Sequence, residues 1–77
     1  MKTYTIQKYR KGRYSDISGT LDELTKYFAY TLECGNSWNK KINRTPKTIK
    51  SLVSNINKSY QETQGQCYDQ ESVTLIA

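Results

Sequence analysis

Gly19–Gly35 reads GTLDELTKYFAYTLECG. Thr20-Leu21-Asp22-Glu23 has the spacing of a capping box. The Thr20 hydroxyl can accept from the backbone N–H of Glu23, and the Glu23 carboxylate can reach back to the N–H of Thr20. Asp22 and Glu23 also fall where the helix dipole is positive. Leu21, Leu24, Phe28 and Leu32 then recur at helical spacing and form one apolar stripe. Gly35 is expected to stop the helix as a C′ residue that takes positive φ without steric cost. One amphipathic helix over about 20–34 follows, and a face of some other element must cover its stripe.

Upstream, Thr3–Arg10 (TYTIQKYR) alternates in part and is rich in aromatic and β-branched residues, which favours a strand. Lys11-Gly12 is a turn signal. Arg13–Ser18 reads as a shorter strand that completes a hairpin. Downstream, Asn36–Arg44 is polar and reads as a loop whose Trp38 and Ile42 cap the core. Thr45-Pro46 predicts a second helix, with Thr45 as N-cap and Pro46 at the first helical position. Its stripe is Ile49, Leu52, Val53, Ile56 and Tyr60, with Gly65 as the stop, so it spans about 46–63. Ser72–Ile76 (SVTLI) is a strand by composition. The expected class is α+β: an N-terminal hairpin, two amphipathic helices and a C-terminal strand. Its simplest packing is a three-stranded antiparallel sheet with both helices on one face. The C-terminal strand is expected to pair with the first.

The chain has 77 residues, enough for a single domain over 1–77 with a thin core. A thin core and open sheet edges make a homo-oligomer the expectation. The N-terminal residues lack the apolar stretch of a signal peptide, and no run approaches the ~20 apolar residues of a membrane span. A cytoplasmic protein without a membrane partner is expected.

Chemistry finds little to work with. There is no His, the commonest general base and metal ligand. Cys34 and Cys67 fall short of a structural zinc set and lack redox spacing; two free, part-buried thiols are expected. Asp69 and Glu71 would share a strand face, but a solvated face explains them. Gly12, Gly19, Gly35 and Gly65 are dispersed and make no phosphate loop. The expectation is a non-enzyme without cofactor or metal.

Charge is more informative. Lys and Arg total 12 and Asp and Glu total 7, a net charge of +5. Residues 1–60 carry every cation and four of the acids; residues 61–77 carry three acids and no cation. Part of such a charge serves solubility alone. Ten of the 12 cations form three groups: Lys8, Arg10, Lys11 and Arg13; Lys40, Lys41 and Arg44; and Lys47, Lys50 and Lys58. The hairpin group interleaves with Tyr9 and Tyr14, and cations beside stackable rings are what nucleotide and single-strand binders use. A hairpin projects its turn, so these four cations are the first candidates for a compact anion. Lys47, Lys50 and Lys58 lie opposite the apolar stripe of the second helix and suit an extended polyanion. Tyr30 points away from the first helix's stripe. The candidate contact residues are Lys8, Arg10, Lys11, Arg13, Tyr14, Tyr30, Trp38, Lys47, Lys50 and Lys58.

GTLDELTKYFAYTLECG (Gly19–Gly35) and INRTPKTIKSLVSNIN (Ile42–Asn57), together under half the chain, resemble small uncharacterised accessory proteins of tailed phages. The resemblance implies a context and assigns no residue a role. Such proteins commonly block a host enzyme, counter a defence system or sequester a signal molecule. Three expectations follow. The first is a non-catalytic protein that inhibits a host or defence component by covering an acidic surface. The second is a protein that sequesters a phosphorylated small molecule such as a nucleotide or cyclic nucleotide. The third is a small basic module that binds nucleic acid.

Overall fold

Strand alternation sets the frame. In the computed structural model, which describes residues 2–10, 12–63 and 72–77, β1 (Tyr4–Arg10) and β2 (Arg13–Gly19) form the expected hairpin. Their register runs from Arg10↔Arg13 to Tyr4↔Gly19. Gly12 has φ 81°, the backbone that a tight two-residue turn demands and that glycine takes freely. β3 (Ser72–Leu75) lies antiparallel on the other side of β1, so the strand order is β2-β1-β3. Ile6 pairs with Ile17 on one side and Leu75 on the other. That row, with Val73 opposite Lys8, marks the covered face. Thr5, Gln7, Tyr9, Tyr14, Asp16 and Ser18 face the other way.

The capping box forms in full: Thr20 N donates to Glu23 Oε1 at 2.9 Å and Glu23 N to Thr20 Oγ1 at 3.2 Å. The helix it opens is not the single rod expected. It divides at Phe28 into α1 (Leu21–Tyr27) and α2 (Ala29–Trp38). Phe28 has φ −95° and ψ 13°, a sparsely used bridge conformation. Its side chain is buried in the core, while its neighbour Tyr27 is held to β1 by Lys8. The bend lets α1 lie against β2 and α2 against α3 (Ile49–Thr63).

Gly35 is not the helix stop. It sits buried within α2, which continues to Trp38. A Cβ at Gly35 would overlap Ser59 Oγ and lie 2.7 Å from Ser59 Cβ and 2.9 Å from its Cα. The glycine therefore serves close helix approach, and Ser59 Oγ donates to Thr31 O at 2.6 Å across the same seam. The second helix also starts later than the Thr-Pro signal. Thr48 caps it, its Oγ1 accepting from Ser51 N at 3.1 Å, while Thr45 and Pro46 lie in the preceding loop. Pro46 is buried there and anchors the loop rather than the helix.

Ile6, Leu24, Phe28, Leu32, Ile42, Leu52, Ile56, Tyr60 and Val73 make the core. Fully burying one such side chain contributes about 2 kcal/mol, so each is a large share of a small domain's stability. Ile42 caps this core as expected. Trp38 does not: it is 58% exposed. Gly65, Cys67, Asp69, Glu71 and Lys11 lie outside the described residues.

Candidate anion-binding cleft

Asparagine side chains organise the segment after α2. Asn36 Nδ2 donates to the carbonyls of Ile42 at 2.8 Å and Lys40 at 3.4 Å. Asn39 Oδ1 accepts from Lys41 N at 3.0 Å, and its Nδ2 reaches Glu62 Oε1 on α3. Asn43 Oδ1 accepts from Thr45 N at 2.9 Å. Buried Asn55 then ties this loop to α3. Its Oδ1 accepts from Asn43 N at 2.8 Å and its Nδ2 donates to Ser51 O at 2.7 Å. Asn folds its own chain readily because its short amide can replace backbone partners two residues on. With Ile42 and Pro46 buried, the loop is fixed at its middle and its end.

The braced loop and α2 enclose an open cleft of about 590 Å³. Lys40, Lys41 and Arg44 line it, with Glu33 and Ala29 on the α2 side and Ile42 beneath. Three cations against one acid leave it electropositive. Arg44 approaches Glu33 at 4.0 Å, but both side chains are more than half exposed, so the pair is weak and easily exchanged for another anion. A fixed backbone removes the cost of ordering the loop when its cations meet a phosphate or carboxylate, leaving only that of ordering their side chains. Binding an anion is therefore the chemistry this arrangement favours. Among the described residues no three His, Cys, Asp or Glu side chains gather as metal ligands. Cys34 is a half-buried free thiol. No helix of the described residues is long and apolar enough to cross a membrane.

Of the four hairpin cations expected to converge, Lys8, Arg10 and Arg13 lie among the described residues, all on one face of the sheet. Lys8 points to the covered face, where its Nζ donates to the Tyr27 hydroxyl at 2.6 Å and stands 4.8 Å from the Tyr27 ring centre. Arg10 and Arg13 are register partners on that same face. Tyr14 stays on the opposite face, packed on Tyr9 with ring centres 5.0 Å apart, and is 65% exposed. On α3, Lys50 and Lys58 are exposed, roughly 12 Å apart along the axis. Lys47 precedes that helix, so the expected three-lysine helical face holds two. Tyr30 and Trp38 are 62% and 58% exposed. With Cys34 between them they occupy one flank of α2, within roughly 80° of arc.

Lys40, Lys41 and Arg44 were visible in the sequence as a cationic group. What set them apart was the asparagine spacing around them, Asn36, Asn39 and Asn43, a turn-forming pattern inside a basic stretch. Asn55, which closes the brace, had no local signal because its partner is a distant backbone N–H. The chain finds no match among protein families, characterised proteins or solved structures.

Proposed function

We propose that the protein is a non-catalytic accessory binding protein of a phage or mobile element, inhibiting a host or defence component by occupying an acidic surface. The observation that carries this reading is the cleft. Lys40, Lys41 and Arg44 are held on an asparagine-braced loop, and Tyr30 and Trp38 stand exposed on the same helix that forms the cleft's wall. Cations give orientation and association rate, while exposed aromatics give an interface its contact energy. A second reading keeps the cleft and changes the occupant. About 590 Å³ is within the size range of small-ligand sites, so a phosphorylated small molecule fits there.

The test is a pull-down from host lysate, with the retained proteins and nucleotides identified by mass spectrometry. Lys40→Glu/Lys41→Glu/Arg44→Glu is expected to lose the partner, and Arg10→Glu/Arg13→Glu to keep it. Retention of the same partner by the folded loop triple would end both readings. An association whose log affinity falls with log salt at about −0.9 per phosphate contact would instead identify duplex DNA.

A further inference from the structure

The two edges of the sheet are finished differently. On β3, Val73 sits opposite Lys8, where its N–H and C=O point away from β1. Asn57 of α3 takes both: Val73 N donates to Asn57 Oδ1 at 2.9 Å, and Asn57 Nδ2 donates to Val73 O at 2.9 Å. An amide side chain thus stands where the next strand would be. On β2 no such cover exists among the described residues. Thr5 exchanges its backbone bonds with Ile76 and Ala77 on the β3 side. By alternation, the even residues of β1 bond to β2, and the N–H and C=O of Tyr14, Asp16 and Ser18 point outward. Those three residues are all exposed. An open edge strand of this length is a template for another strand.

We propose that a second copy of this chain fills that edge, the two β2 strands pairing antiparallel about a two-fold axis at Ser15. The sequence of β2 selects both the occupant and the register. An axis at Asp16 gives the longest overlap but sets two carboxylates directly opposite, which is destabilising. An axis at Ile17 gives an overlap of the same length as one at Ser15, over Ser15–Gly19, but leaves Arg13 and the exposed Tyr14 outside it. An axis at Ser15 sets Tyr14 opposite Asp16 and Arg13 opposite Ile17, and each Tyr14–Asp16 pair exchanges both backbone bonds. The antiparallel alignment also brings the basic hairpin end of each copy, with Arg10 and Arg13, to the strand end that leads into the other's α1. That helix opens with Asp22 and Glu23. Basic end meets acidic end twice, as a two-fold requires. The two three-stranded sheets become one continuous sheet whose remaining edges are both β3, each capped at Val73 by Asn57.

Sedimentation equilibrium of the full chain is expected to show a concentration-dependent dimer. Asp16→Pro removes an outward N–H and no bond to β1, since proline is tolerated where the N–H of an edge strand faces solvent. It should leave the circular dichroism unchanged and the protein monomeric. Ser15→Cys, in a Cys34→Ser/Cys67→Ser background, places two thiols at a non-hydrogen-bonded pair with Cα atoms about 4.5 Å apart. Mild oxidation should give a covalent dimer, and Asp16→Cys in the same background should not. A chain monomeric at every concentration overturns the proposal, as does a dimer that survives Asp16→Pro. If Asp16→Pro fails to fold, the cysteine pair decides alone: cross-linking at 16 and not 15, or at neither, overturns it.

Discussion

Among the described residues, Lys8, Arg10 and Arg13 in the hairpin and Lys40, Lys41 and Arg44 after α2 are two groups of three cations, each set among aromatic or amide side chains. Their surroundings put them to different uses. In the hairpin, strand alternation sends all three to the helix side of the sheet, and Lys8 is drawn under Tyr27. After α2 there is no alternation to obey. Asn36, Asn39, Asn43 and Asn55 take the backbone groups, and the cations are left lining the cleft. A cluster of charge in sequence thus lines a cleft in one region and packs along the sheet in the other, according to what orients its side chains.

The contrast breaks most completely at the seam beneath the cleft. Gly35→Ala drives a methyl into Ser59 on α3 and pushes α2 away from it. Overpacking here should cost about 3 kcal/mol, since the obstructing atoms include backbone. Chemical denaturation measures it. Gly19→Ala is the control: its methyl would meet only Glu23 side-chain atoms, the nearest at 3.2 Å, and should cost far less. Equal midpoints for the two variants would mean that the α2–α3 contact does not set the cleft's wall.

Asn55→Ala acts on the brace alone. It leaves the N–H of Asn43 without its partner in a part-buried setting, at about 1 kcal/mol. Anion affinity of the cleft should fall although every cation remains. Unchanged affinity in this variant would show that the cations need no fixed loop, and the two basic regions would then differ less than their structures do.

Lys8→Met sharpens the other half of the comparison. The variant keeps the aliphatic stem and removes the bond and cation–π contact to Tyr27, a loss of about 1 kcal/mol. It should lower the melting temperature slightly and leave anion binding at the cleft intact. A larger loss of anion affinity than of stability would return Lys8 to the binding surface.

The elements themselves were legible because each is written locally. The hairpin needs Lys11-Gly12 between alternating runs, α1 needs its capping box, and the stripe of α3 is periodic. What failed was set by distant partners. Gly35 has the sequence context of a helix stop, yet Ser59, twenty-four positions away, makes it a contact glycine. Phe28 belongs to one uninterrupted stripe, yet the helix divides there, between Tyr27 held to β1 by Lys8 and the buried Phe28 ring. Thr45-Pro46 matches a helix start as well as Thr48 does; burial of Pro46 in the loop decides between them. The cleft was half legible for the same reason, its cations local and its brace closed by Asn55.

The smallest effect separates the two regions by the kind of bond that holds them. The carboxyl of Glu23 is held below its ordinary value of 4.5, first by the backbone N–H of Thr20, then by the Thr20 hydroxyl and the charge of Lys26. Unfolded, it titrates near that ordinary value. Its contribution is therefore complete above that pH and is lost as pH falls through the lower, folded value. The amide bonds that brace the 39–45 loop at Asn36, Asn43 and Asn55 are neutral and do not titrate. Acidification from about pH 6 to about pH 3 should weaken the first turn of α1, beside the base of the hairpin, before it affects the Asn43–Asn55 bond. Amide exchange, corrected for the intrinsic rate at each pH, reads both: protection at Glu23 N–H should fall while that at Asn43 N–H holds. Parallel loss at the two amides would mean global acid unfolding, with no difference between the regions. Glu23→Gln, which keeps an acceptor and removes the titration, should flatten the Glu23 response and leave Asn43 as it was.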